Sequence, residues 1–431
     1  MTILEHIPAL LRMALVFVLV LYAIRKNLSL GNAFMIGTLV LSVFFAMPIR
    51  ATVKSIFFSI IHLKTLSLAL VVSLILVLSS SMESTGQMQR LLGRFRGLVR
   101  SPRLNLVTFP ALIGLLPMPG GAVFSAPMVK EMGAGLKLSG ARLSFINYWF
   151  RHIWEYWWPM YPGVLLATLI ADINLSAFVV MMFPLTFVAV YLGSRSIKKV
   201  NPSGFRQTSH KRPSLGPFMH ELAPILMVII LGLGLGIVLS AIFPELTIAK
   251  EGGLVVSLLL AVAWIWYENR LPGDKRRAIV LNGKMLNMVY MVIAILVFKG
   301  ILGDSHAVEA ISSELIKLHV PLVLITVILP LIVGLFTGIT IAFVGSTFPI
   351  LISLVHAQGE TAFMGAYIMI GLTCGFAGVL LSPLHLCLLL SNEYFDTTLN
   401  HIYRYLWLPC VCLVFASMGY FWILREVHGW L

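Results

Sequence analysis

The stretch GLLPMPGGAVFSAP, Gly114 to Pro127, lies in a region apolar enough for lipid yet carries three prolines and three glycines. Proline removes a backbone donor and glycine admits positive φ, so one continuous membrane helix does not run through it. The flanks indicate what happens instead. Arg90, Arg94, Arg96, Arg100 and Arg103 precede the stretch, and Lys130, Lys137 and Arg142 follow it. Short loops rich in Lys and Arg stay cytoplasmic, which puts both ends on the inside and makes residues 104–133 a re-entrant hairpin. Non-helical backbone at membrane depth survives only where protein or a water-filled cavity satisfies it.

The rest of the chain supplies the membrane context. Of 431 residues, 59% are hydrophobic and 11% charged, with a mean hydropathy of +0.95. Apolar runs of ~17–25 residues, the length that crosses ~30 Å of hydrocarbon, recur from end to end and leave no room for a sizeable soluble domain. The fold class is therefore an all-α polytopic membrane protein. The first run, Ala9 to Ile24, follows a segment with Glu5 and no basic residue, so it reads as a transmembrane helix and not a signal peptide. The net charge of +14 is spread over short loops, where it sets topology and meets lipid headgroups; no nucleic-acid partner is expected. Cys374, Cys387, Cys410 and Cys412 have no CxxC spacing and no histidine at ligand spacing, so they read as buried free thiols, with no metal site or cofactor expected.

Laid on itself at an offset of about 220 residues, the sequence aligns Lys64 with Lys284 and PALIGLL from Pro110 with PLIVGLF from Pro330. The loop charges of the two copies are opposite: the arginines after Gln87 match a stretch holding Asp304, Glu309 and Glu314. Equivalent loops then face opposite sides, which defines an inverted repeat, the usual architecture of secondary transporters. The expected divisions are residues 1–195, a basic cytoplasmic linker at 196–217, and 218–431. Each half holds five transmembrane helices plus one re-entrant hairpin, about ten crossings in all. Arg50, Lys54 and Lys64 fall on the outer side, where an interfacial helix accommodates them. The second hairpin spans 321–355, broken at Gly334–Thr340. QRLLGRFRGLVRSPR, Gln87 to Arg103, reads as an amphipathic helix on the cytoplasmic leaflet.

A second pair of breaks follows, in broken helices at 143–170 and 366–392: Trp158–Gly163 and Ser382–His385. Helix halves starting there point positive N-termini inward, which favours an anion. Ahead of the first break, NYWFRHIWEYWW places Asn147, Arg151, Glu155 and Trp158 on one helical arc. Arg151 is a candidate clamp for a substrate carboxylate, with Glu155 positioning it or exchanging a proton; the competing reading is an Arg151–Glu155 pair that neutralises itself. His152 lies off the arc and reads as a packing residue, with a proton-carrying role as the alternative. His385, Ser391 and Asn392 are the polar candidates of the second half. The tryptophans read as interface belt or core.

The motif LLPMPGGAVFSAPMV and the paired hairpins resemble the integral membrane family known as domain of unknown function 401, over nearly the whole chain. That family is grouped with the ion transporter superfamily of gluconate, citrate and dicarboxylate carriers. The resemblance implies a homodimer with a scaffold and a transport domain that moves as an elevator. It also implies a binding site at the hairpin tips and broken helices. On that basis Pro119, Gly120, Gly121, Thr337, Gly338 and Thr340 join Asn147, Arg151, Glu155 and His385 as substrate-binding candidates, with Ser125 and Ser382 beside them. The Ser-Asn-Thr tip signature of the sodium-coupled dicarboxylate branch is absent from both hairpins.

The resulting expectation is a secondary transporter of a small organic anion, a carboxylate in particular, coupled to protons or sodium, in the prokaryotic inner membrane. The alternative is an intramembrane enzyme using Arg151, His152 and Glu155 on a lipid or peptide. Against it stands the absence of HExxH and GxGD motifs. A channel would need a continuous polar lining, which these apolar helices lack.

Overall fold

The computed structural model describes residues 7–26, 28–95, 98–99, 101–118, 120–133, 136, 138–197, 214–243, 245 and 248–429. Pro119, Arg96, Arg100, Lys137, Glu5 and the basic linker at 198–213 lie outside the described residues, as does the side chain of Lys284. The described chain is helical, with no strand in it.

Helices α1 (Ala9–Arg25), α2 (Leu30–Phe44), α3 (Ile49–Ile61), α4 (Leu63–Ser84) and α5 (Gln87–Phe95) come first. Then follow α6 (Pro102–Ile113), α7 (Ala122–Gly133), α8 (Gly140–His152), α9 (Pro162–Ala171), α10 (Leu175–Met182) and α11 (Pro184–Ser194). After the linker come α12 (Leu215–Ile242), α13 (Ala249–Glu268), α14 (Gly273–Val280), α15 (Gly283–Asp304) and α16 (Ala307–Lys317). The chain ends with α17 (Leu322–Thr337), α18 (Thr340–Ala357), α19 (Met364–Leu381), α20 (Leu386–Tyr394) and α21 (Leu399–Gly429). Local chemistry starts many of them. Ser29, Ser101, Ser139, Asn174 and Asn282 each cap a following helix by accepting from its free N–H groups. Pro102, Pro162 and Pro184 occupy first-turn positions, where the missing donor costs nothing.

Eight segments among the described residues are long and apolar enough to span a membrane, from Leu63–Ser84 to Leu399–Glu426. This is a multi-pass membrane protein. Its outer helices turn Ile230, Ile237, Phe415 and Trp422 outward, a surface suited to lipid.

The packing has two groups. In one, α1 packs on α2, α12 on α13, α2 on α15 and α4 on α13. In the other, α6 packs on α7 and α8, and α17 on α18 and α19; α9 meets α18 and α20 meets α7. Short amphipathic helices link the groups. Gln87 to Arg103 is not one continuous helix: α5 covers Gln87–Phe95, with Leu91, Leu92 and Phe95 buried, and Leu98, Val99 and Ser101 are not helical. Arg90 Nε donates to Glu221 Oε1 of α12 at 2.9 Å, tying α5 inward. At α16, Glu314 accepts from the N–H groups of Ala9 and Leu10, at 2.6 and 2.9 Å, satisfying the open start of α1.

Glycines let the second group pack closely. A Cβ on Gly114 would strike the Arg151 carbonyl, and one on Gly334 would strike the Gly375 carbonyl. Gly334 is thus a contact between α17 and α19 and not a break; α17 continues to Thr337.

Candidate functional site

Helix α6 ends at Ile113, and the chain passes Pro117 and Met118 before α7 restarts at Ala122. Gly120 takes φ +73°, a left-handed conformation that glycine adopts without cost. The interrupted helix end leaves carbonyls without an intrahelical partner. Aromatic donors answer them: Trp154 Nε1 to Ala111 O (2.7 Å), Tyr161 Oη to Gly114 O (2.7 Å) and Trp158 Nε1 to Leu115 O (3.0 Å). Two of the tryptophans read as belt or core therefore complete the first hairpin's backbone. The second reversal is tighter. Gly338, at φ +65°, closes α17, and α18 starts at Thr340.

These reversals and both later breaks meet at one cavity of about 340 Å³. Pro117, Met118 and Gly120 line it from the first tip, and Gly338 to Ile341 from the second. The end of α8 contributes Arg151 and His152, the stretch after it Glu155 and Tyr161, and the start of α9 Pro162 and Gly163; Leu384 and His385 precede α20, and Leu386 and Cys387 begin it. Among the described residues, only Leu76 of α4 and Met288 and Met291 of α15 come from the other packing group. Helices α9, α18 and α20 begin at this wall without a side-chain cap, so their free N–H groups and positive dipole ends converge there.

The single helical arc from Asn147 to Trp158 does not form. Helix α8 stops at His152, and residues 153–157 are turns, so Glu155 and Trp158 leave the arc. No Arg151–Glu155 ion pair exists. Arg151, 2% exposed, donates from Nη2 to Met118 O at 2.5 Å, and its Nε meets no acceptor among the described residues. Gly121 leaves room for this guanidinium, since a Cβ there would collide with it. Glu155 turns to the opposite hairpin, accepting from Thr340 Oγ1 at 2.6 Å.

Six candidates lie behind the wall: Ser125, Asn147, Thr337, Ser382, Ser391 and Asn392. Ser125 Oγ donates to Asn147 Oδ1 at 2.6 Å, and Asn147 Nδ2 reaches Ala122 O and Ser391 Oγ. Ser144 Oγ donates to Asn392 Oδ1 at 2.7 Å. These bonds stitch α7, α8 and α20 together. Thr337 Oγ1 bonds back to Val333 O within α17, and Ser382 Oγ accepts from Leu384 N. Each hydroxyl serves its own backbone instead of the cavity.

His152 and Cys387 are the corrections that matter most. His152 is not an isolated packing residue: its Nε2 is 3.1 Å from His385 Nε2 and 3.7 Å from Glu155 Oε2. Cys387, read as a thiol with no histidine nearby, places Sγ within 4.8 Å of ligand nitrogens of both histidines, and all three residues are buried. The sequence signal was the short spacing His385-Leu386-Cys387, but His152 lies 233 positions away.

A family model described as "Protein of unknown function (DUF401)" matches residues 9–423, so the chain belongs to that family. No curated protein matches it.

Proposed function

We propose that this DUF401 chain is a secondary transporter of a small organic anion, a carboxylate in particular, working by alternating access of the elevator type. The observation that carries the reading is the division of the cavity wall. Among the described residues, every polar lining group belongs to the hairpins and breaks, while the opposing α4 and α15 offer Leu76, Met288 and Met291. A wall with all its polar contacts on one side and a greasy face on the other suits a unit that carries its ligand past a fixed surface.

The order and contacts of the helices support an inverted repeat and, with it, the same reading. Helices α1 to α9 correspond in order to α12 to α20, and α10 with α11 to α21. Their contacts exchange under that correspondence: α4 on α13 mirrors α15 on α2, and α9 on α18 mirrors α20 on α7. The close approach of Gly114 to residue 151 recurs as Gly334 to residue 375. We assign α1–α5 with α12–α16 to the scaffold and the remaining helices to the moving unit. About ten crossings, a homodimer and a place in the prokaryotic inner membrane, among ion transporter superfamily relatives, complete the proposal.

The anion is inferred from Arg151 and the three uncapped helix N-termini. A buried guanidinium with an open Nε presents a planar donor to a carboxylate. Uptake of labelled mono-, di- and tricarboxylates into proteoliposomes, with imposed pH or sodium gradients, tests this. Gradient-driven accumulation of one class is expected; turnover of a lipid or peptide without any gradient would replace the transporter with an intramembrane enzyme.

A further inference from the structure

The two facing histidines pose a problem of proton count. His152 Nδ1 lies 2.6 Å from Tyr148 O, and His385 Nδ1 lies 2.8 Å from Gly338 O. A carbonyl oxygen only accepts, so each Nδ1 carries the proton. In a neutral imidazole the other nitrogen is then a bare lone pair. Both Nε2 atoms are in that condition, and they face each other at 3.1 Å. Two lone pairs at that distance, buried away from water, repel unless something positive sits against both.

Cys387 identifies what that is. Its Sγ and the two histidine nitrogens form a group with every ligand atom within 4.8 Å of the others, all from buried residues. Two nitrogens held at ~2.0–2.1 Å from one tetrahedral ion are ~3.3 Å apart, close to the separation found. An Nδ1–H given to a backbone carbonyl is also the usual means of fixing the tautomer and orientation of a metal-binding imidazole. We propose that His152 Nε2, His385 Nε2 and Cys387 Sγ bind one borderline-soft transition-metal ion of the zinc class. Two imidazoles and a thiolate favour such an ion over magnesium, calcium or manganese, which prefer oxygen. The thiolate and the Glu155 carboxylate, its Oε2 3.7 Å from His152 Nε2, offset a double positive charge. Three protein ligands leave one coordination position, and all three residues line the cavity, so that position opens into it. The ion also joins the end of α8 to the start of α20, binding the two breaks into one unit. This assignment holds whether or not the chain transports an anion.

The experiment uses the full chain purified in detergent, stripped with a chelator and reloaded with zinc or cobalt(II) chloride. About one ion per chain is expected by elemental analysis, with a raised thermal midpoint and a cobalt spectrum showing thiolate charge transfer and tetrahedral bands. Cys387→Ser should lose the thiolate band and weaken binding at least ~10-fold, and His385→Ala should abolish binding. Cys374→Ser, whose thiol sits by Ser417 away from the cavity, should change neither. A folded wild-type protein that takes up no ion overturns the proposal, leaving a proton between the two nitrogens. So does a cobalt spectrum without a sulfur band, or one unchanged by Cys387→Ser.

Discussion

Thr340 Oγ1 donates to Glu155 Oε1 at 2.6 Å, joining the first residue of α18 to the irregular segment after α8, 185 positions earlier. A mostly buried carboxylate at membrane depth needs its partners, and this hydroxyl is one of them. Thr340→Val keeps the shape and deletes the donor, so it should cost ~1–3 kcal/mol in detergent. Thr340→Ser should retain most of the stability. Thermal unfolding of the pair checks this: equal midpoints for valine and serine would mean that the bond holds nothing.

Gly338→Ala should be worse than its single methyl suggests. At φ +65° a Cβ would lie 2.9 Å from Ser382 Oγ and 3.0 Å from His385 N. Left-handed backbone costs a non-glycine residue ~1–2 kcal/mol before any contact is counted. The same change at Gly303, where nothing lies within 4 Å, is the control and should be neutral or slightly stabilising. Midpoints from thermal unfolding in detergent, compared between the two variants, provide the measurement.

Gly121→Ala and Arg151→Lys should share one phenotype. The first pushes a methyl into the Arg151 guanidinium; the second replaces the planar fork by a point charge. Both should remove most of the thermal stabilisation that a saturating carboxylate gives, ~2.7 kcal/mol at one hundred times Kd. Full retention of that shift in both variants would relocate the anion away from Arg151.

Trp154→Phe removes the donor to Ala111 O but keeps an aromatic ring in place. The freed carbonyl loses the donor that satisfied it, so ~1–2 kcal/mol of stability should go, with the first hairpin loosened most. Hydrogen exchange across residues 102–133 is the sensitive readout. Protection there unchanged from wild type would show that another donor satisfies Ala111.

The breaks were legible because proline and glycine act locally. Gly120 and Gly338 take the positive φ that only glycine adopts freely, and Pro117 lies in the non-helical stretch between α6 and α7. The arc from Asn147 to Glu155 misled for a related reason. Nothing in NYWFRHIWEYWW announces a helix end at His152; α8 stops there because Trp154, Trp158 and Tyr161 turn back to feed the open carbonyls of α6. That demand comes from a neighbour in space and leaves no mark on the local pattern.

Composition and periodicity by themselves determined a multi-pass helical membrane protein with interrupted segments, because apolar length and backbone breakers are properties of consecutive residues. Which side chains share a cavity was decided by the tertiary structure alone. Sequence placed Arg151 and Glu155 together and held Cys387 apart from any histidine; folding turned Glu155 to Thr340 and set Cys387 beside His152 and His385. The physical reason is burial. With no water available, each polar group at membrane depth must find its partner within the protein, and the partners come from distant segments that no local spacing rule connects.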